Sequence, residues 1–240
     1  MKNISKRSRR NPWRNTRNDF KMPWQNIWAT LLTVMLPFGI LFLASNIVLR
    51  SSAFYTFYVS RSGVAGELPY SIENSDVAGA FHDFMMHGKS TFSLTENRDY
   101  KPQQVFGEKA ADVMGDFRLI ADISLVTGIV ILIACIGIGI WLYRKGSNKL
   151  LYSHYLTAWP ELVILLVLIS VPVFVTPIRE ALMYGIYGKD FPPGDSLLQI
   201  FENGFWTYFG VAQILASIVL MLVILYIMKK FVTAHKMFKF

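Results

Sequence analysis

The sequence predicts an all-α membrane protein of four transmembrane helices, with a small outer α/β subdomain between spans one and two. Three observations carry this. Hydrophobic residues make up 53% of the 240 positions and charged ones 17%, and the mean hydropathy is +0.36; ordinary soluble domains are less apolar. Four apolar runs reach the length that crosses a bilayer, about 20 residues. Lysine and arginine crowd one set of connections, while acids match or exceed them in the other.

The leader, 1–26, carries Lys2, Lys6, Arg7, Arg9, Arg10, Arg14, Arg17 and Lys21 against Asp19 alone. A signal peptide has a shorter basic region and a shorter apolar run than the one that follows here. No nucleic-acid-binding module surrounds these bases, so the net charge of +8 is read as an orientation signal that also attracts anionic lipid, with no nucleic-acid partner. Trp13, Trp24 and Trp28 suit the membrane interface.

Span one is 27–49. The outer segment, 50–119, is the one sizeable stretch outside the membrane. Within it "SAFYTFYVS" (52–60) is aromatic and β-branched and reads as a strand, and "STFSL" (90–94) as another. "ENSDVAGAFHDFMMHGKS" reads as a helix capped by Asn74 or Ser75 and stopped at Gly88. About seventy residues with so little regular structure make a poor independent core, so the segment is expected to lean on the membrane surface and the span ends. Span two is 120–143, with Gly128, Ala134, Gly137 and Gly139 as small residues for close helix contact and Cys135, the single cysteine, as a packing residue.

The loop 144–155 carries Arg144, Lys145 and Lys149. Span three, 156–175, is entered at Trp159-Pro160 and should bend near Pro172 and Pro177. The connection 176–207 holds a Pro192-Pro193-Gly194 turn. An interfacial helix follows, capped by Asp195 or Ser196, with Leu197, Leu198 and Phe201 on its apolar face beside Glu202. Phe205, Trp206, Tyr208 and Phe209 read as an interfacial aromatic belt. Span four is 208–228, and the tail, 229–240, carries Lys229, Lys230, Lys236 and Lys239. The distribution of bases places both termini in the cytoplasm and the two larger connections outside.

Chemistry-bearing patterns are few. The chain has no glycine-rich phosphate loop, no cysteine cluster and no HExxH pair. His154 and His235 fall on the cytoplasmic side; His82 and His87 fall outside, five residues apart, a poor spacing for metal ligands on a helix, so no metal or cofactor is assigned. Asp122 and Glu161 lie close to span ends, where partial hydration or the dipole of a first helical turn accommodates them. Glu108, Asp112 and Asp116 repeat every four residues, one acidic stripe on a helix whose like charges repel. Arg118, Lys109, Arg98 and Lys101 are near in sequence to offset it. The stripe is either a hydrated helix face, a clasp between outer segment and span two, or part of a site.

Three motifs together have a familiar order: "YSIENSDVAGAFHDFMMHG", then "FGEKAADVMGDFRLI" opening span two, then "FPPGDSLLQIFENGFW" leading into span four. In that order and spacing the chain resembles the lipoprotein intramolecular transacylase (Lit) family of bacterial four-span membrane proteins. The resemblance implies a bacterial cell-membrane protein, a diacylated lipoprotein as substrate beside membrane lipids, and no cofactor. It implies acyl transfer from the glyceryl group of the N-terminal cysteine to that cysteine's amine, and Asp112 as the carried-over site residue. The family's histidine shortly before the Asp-Val pair is absent here; Glu108, Lys109, Ala110 and Ala111 stand there. Glu108, Lys109 or His82 are the candidates to replace it, with Arg118, Asp116, Asp195 and Glu202 as candidate lipid or partner contacts. The alternative is a non-catalytic membrane protein that binds a lipid, lipoprotein or protein partner.

Overall fold

The computed structural model describes residues 23–68, 71–87, 91–98, 101–179, 181 and 195–234. The basic leader before residue 23, Gly88, the 192–194 turn, and the tail bases Lys236 and Lys239 with His235 lie outside the described residues. Among the described residues, four helices are long and apolar enough to cross a membrane. These are α1 (Pro23–Leu49), α5 (Glu108–Arg144), α6 (Asn148–Phe174) and α8 (Trp206–Ala234). A cap lies between the first two: α2 (Ser52–Ser62), the single turn α3 (Val64–Glu67), α4 (Asn74–His87) and an antiparallel pair, β1 (Thr95–Arg98) with β2 (Lys101–Gln104). The short helix α7 (Ser196–Ile200) and a π-helical turn (Phe201–Phe205) lead into α8.

The central span is α1. Half of its apolar stretch is buried (50%), against 11% for α5, 22% for α6 and 17% for the last span. It packs against α5, α6 and α8. Close approach to α5 is made possible by two glycines facing each other. A Cβ on Gly128 would stand 2.9 Å from the Phe42 Cβ, and one on Gly39 2.9 Å from the Ile131 Cγ2. Gly128 therefore serves as expected, while Gly137 and Gly139 have room for a Cβ. Cys135 is buried between α1, α6 and α8. Outward faces are hydrocarbon: Ile123, Val130 and Ile133 on α5, Ile164 and Leu168 on α6, and Leu215 and Val219 on α8 are all exposed. A surface of that kind is stable only in an apolar medium.

Buried polar groups lace the spans together. Thr33 Oγ1 lies 2.9 Å from His154 Nδ1, Asn46 Nδ2 donates to Ser124 Oγ at 2.8 Å, and Gln213 Nε2 donates to Ser45 Oγ at 2.6 Å. Interhelical bonds of this kind are worth about 0.6–2 kcal/mol each in a membrane. At the end away from the cap, Ala29, Leu32, Leu142 and Leu151 cluster with Met228, and Ser147 donates to Gln25 at 2.9 Å. Arg144, Lys145, Lys149, Lys229 and Lys230 are exposed around that end.

The cap is helical where the sequence reads as strand. Residues 52–60 form α2 because Ser51 caps it, accepting from the Phe54 N–H, and Gly63 closes it at φ +68°. Phe54, Tyr55, Tyr58 and Val59 then fall on one buried face, a 3.6-residue period that overrides the strand propensity of aromatic side chains. The second strand lies later than 90–94, at Thr95–Arg98, because Phe92 is drawn into the core (2% exposed). α4 occupies the expected stretch, with the Glu73 carbonyl accepting its first bonds from Asp76 and Val77.

Cap and span ends share a single hydrophobic cluster. Leu49, Tyr58, Phe81, Phe92, Phe106, Met114, Leu197 and Phe205 all belong to it, so the cap leans on the spans as its size requires. The expected aromatic belt is part of this core: Phe205 and Phe209 are buried and stack on each other, and Phe54 meets both edge-on. Gly204, at φ +85° inside the π-helical turn, reorients the chain so that Phe201 and Phe205 point inward. The short helix before it is likewise embedded, with Leu197 and Ile200 fully buried. Glu161 is mid-helix, thirteen residues after the Asn148 start of α6 and not in a first turn, and Pro160 lies inside the same helix. α6 ends at Phe174, with Val175 extended before Pro177.

Candidate functional site at the cap end of the spans

The acidic stripe is water-facing. α5 starts at Glu108 and runs unbroken into the apolar span, and Glu108, Asp112 and Asp116 are all exposed on its first turns. Hydration offsets much of their mutual repulsion there. Lys109 is half-buried. Asp195 is the α7 N-cap, its carboxylate accepting from the N–H groups of Leu197 (2.8 Å) and Leu198 (3.3 Å), and Glu202 is exposed in the π-helical turn.

Arg118 pairs with Asp122, one turn into the span, and not with the stripe. Its Nε is 3.8 Å from Asp122 Oδ2, and its guanidinium carbon lies 5.5 Å over the Phe84 ring, a cation–π distance. Asp122 also forms a short ion pair with Arg50, the first residue after α1. Arg50 reaches further, donating to the Met85 carbonyl at 3.0 Å near the C-terminal end of α4. Its Nε is 3.5 Å from Asn46 Oδ1, and Asn46 in turn bonds Ser124. One carboxylate therefore gathers two guanidiniums and ties together α1, α4 and α5 where cap meets membrane.

Side-chain exposures of 20% for Arg50, 26% for Arg118 and 45% for Asp122 leave this cluster partly accessible. The Arg118 Nε is buried without a hydrogen-bond acceptor, an unmet donor of a kind that native structures seldom leave. Leu119, Ile120 and Ile123 around it are 58%, 59% and 59% exposed. A cationic, donor-rich patch thus sits directly beside open apolar surface.

Arg50 and Asn46 are site residues that the sequence reading misses. The signal is present in hindsight: an arginine one residue past the end of one span and an aspartate just inside the next are at matching depth, where charges pair. His82, on α4, lies with its Nδ1 3.6 Å from Asp83 Oδ1, and its ring meets the His87 ring edge-on at 5.9 Å between centroids. No protein-family model, no curated protein and no solved structure matches this chain.

Proposed function

We propose that this chain is a multi-pass membrane protein with both termini in the cytoplasm and the cap outside, and that it holds the anionic head group of an outer-leaflet lipid at Arg50 and Arg118. The observation that carries this is the convergence of those two guanidiniums on the single carboxylate of Asp122, beside exposed Leu119 and Ile123. Two cations on one anion leave one positive charge over. The Arg118 side chain is 26% exposed, and a guanidinium fork suits phosphate oxygens. The neighbouring apolar side chains offer the acyl chains a surface. The exposed bases gathered at the opposite end of the bundle support the orientation.

The test is lipid retention. Wild-type protein purified in mild detergent should carry anionic phospholipid by mass spectrometry. Arg118→Gln should carry about 10- to 150-fold less, the equivalent of the ~1.5–3 kcal/mol of a charge-assisted bond, and Arg118→Lys an intermediate amount. If folded Arg118→Gln and Arg50→Gln proteins keep the wild-type lipid complement, the reading fails.

A second reading is favoured by the imidazole–carboxylate pair of His82 and Asp83 on the cap together with the resemblance to lipoprotein transacylases. His82 would take the proton from the lipoprotein's N-terminal amine as that nitrogen attacks an ester carbonyl of the glyceryl group. The tetrahedral oxyanion then collapses, the amide forms, and the glyceryl oxygen leaves with the proton. Asp112, Glu108 and Lys109, all on the water-facing start of α5, are the other candidates for this chemistry. Expression in a bacterium lacking its own lyso-lipoprotein synthesis, followed by mass spectrometry of lipoprotein N-termini, decides it. Unchanged diacylglyceryl termini with the protein present in the membrane would eliminate acyl transfer.

A further inference from the structure

The last turn and a half of α4 holds a second cluster, distinct from the arginine pair. His82, Asp83 and His87 each offer one ligand atom, and the three atoms lie within 4.8 Å of one another. Asp83 Oδ1 is the hub, 3.6 Å from His82 Nδ1 and 3.7 Å from His87 Nδ1. Five residues separate the two histidines, which by spacing alone is too far round a helix. The intervening carboxylate, next to one and four residues from the other, closes that gap.

We propose that His82, Asp83 and His87 form a binding site for one divalent transition ion of the zinc class. Metal–nitrogen and metal–oxygen bonds of about 2.0–2.2 Å in a tetrahedron place neighbouring ligand atoms about 3.4 Å apart. The separations around Asp83 are already within a few tenths of an ångström of that edge. The three atoms lie within 4.8 Å of one another, so about an ångström is left for the side chains to close around an ion. Two imidazoles and one carboxylate suit zinc, cobalt, nickel or copper, whereas magnesium and calcium take oxygen ligands in greater number.

The surroundings favour a cation that exchanges with solvent. His87 is the last residue of α4, where the helix presents the negative end of its dipole. Side-chain exposures of 24% for His82, 39% for Asp83 and 66% for His87 leave the cluster reachable and its fourth position open to water or a further donor. Arg50 holds the nearby Met85 carbonyl, with its own charge met by Asp122. A bound ion therefore links the last turns of α4 to one another, close to the joint between cap and spans. This site is independent of the head-group reading, whereas in the acyl-transfer reading a bound ion would compete for His82.

The experiment uses the full chain in detergent, with any purification tag removed and metals stripped by chelator. Zinc is titrated by calorimetry and cobalt by its visible absorption. The expected result is one equivalent of zinc per chain, a cobalt spectrum of low-symmetry coordination, and no competition from magnesium. His87→Ala, a change at an exposed position, should weaken binding about tenfold or more, since even outer-shell changes cost metal sites that much. Asp83→Asn should weaken it comparably, with melting temperature unchanged in the metal-free state for both. Wild-type protein that takes up no more zinc or cobalt than His87→Ala overturns the proposal.

Discussion

Removing the charge of Asp122 tests how cap and spans are joined. Asp122 pairs with Arg50 and Arg118, and the side chains of the closest pair are 20% and 45% exposed. Unit charges about 4 Å apart attract by roughly 4 kcal/mol at an effective dielectric of about 20, whereas fully exposed pairs are worth about 0.2–1 kcal/mol. A half-hydrated pair falls between, and about 1–2 kcal/mol is the expected coupling. Arg50→Gln also loses the bond to the Met85 carbonyl, so the single change costs more than the ion pair alone. A double-mutant cycle with Asp122→Asn removes that extra cost, because both arms share it. Melting in detergent, followed by tryptophan fluorescence, reads the cycle; for a chain of this size the coupling corresponds to about 2–8 °C. Additivity of the two changes within about 0.3 kcal/mol would refute the ion pair as the joint.

Other expectations follow from the same packing. Gly210→Ala places a methyl 2.6 Å from the Val173 Cγ1 and should lower stability by about 1–3 kcal/mol, while Gly137→Ala, with open space around it, should leave melting unchanged. Asp195→Ala removes both N-cap bonds of α7 and should cost about 1 kcal/mol. Asp112→Asn, on an exposed face, should change stability by less than about 0.5 kcal/mol, so any loss of lipoprotein modification in that variant reports chemistry and not folding. Burial pushes the phenols of Tyr55 and Tyr58 well above their ordinary range. The neutral forms are therefore favoured in the folded cap. That contribution is complete below pH ~10, the unfolded tyrosine value, and declines as pH rises beyond it. Melting temperature should fall above that point.

Much of the architecture is written in length and polarity. The four spans follow from runs such as the one holding Ile129–Ile140 on α5, which no other element could bury. The cap is less legible, because its residues serve two periods at once. Phe54, Tyr55, Tyr58 and Val59 have strand-forming side chains, yet the Ser51 cap and the Gly63 stop set a helix, and packing against Phe205 and Phe81 rewards it. Phe205 and Phe209 look like interfacial anchors in one dimension; only the π-helical turn at Gly204 turns them inward. The site was legible in part. Arg118 and Asp122 were visible as charges near a span end, but their partner Arg50 lies 72 residues away from Asp122 in sequence, and pairing over that distance depends on the packing of α1 on α5. The acidic stripe, conspicuous in sequence, is exposed on the first turns of α5.

The head-group site proposed at Arg50 and Arg118, braced by Asp122, lies beside the exposed start of α5. Its most direct measurement is photo-crosslinking in vesicles, with phosphatidylglycerol carrying a photoreactive head group in the outer leaflet only and adducts mapped by peptide mass spectrometry. The account predicts adducts concentrated on residues 46–50 and 118–124 and strongly reduced in Arg118→Gln. Adducts scattered over the lipid-facing helices, unchanged by that substitution, would contradict it.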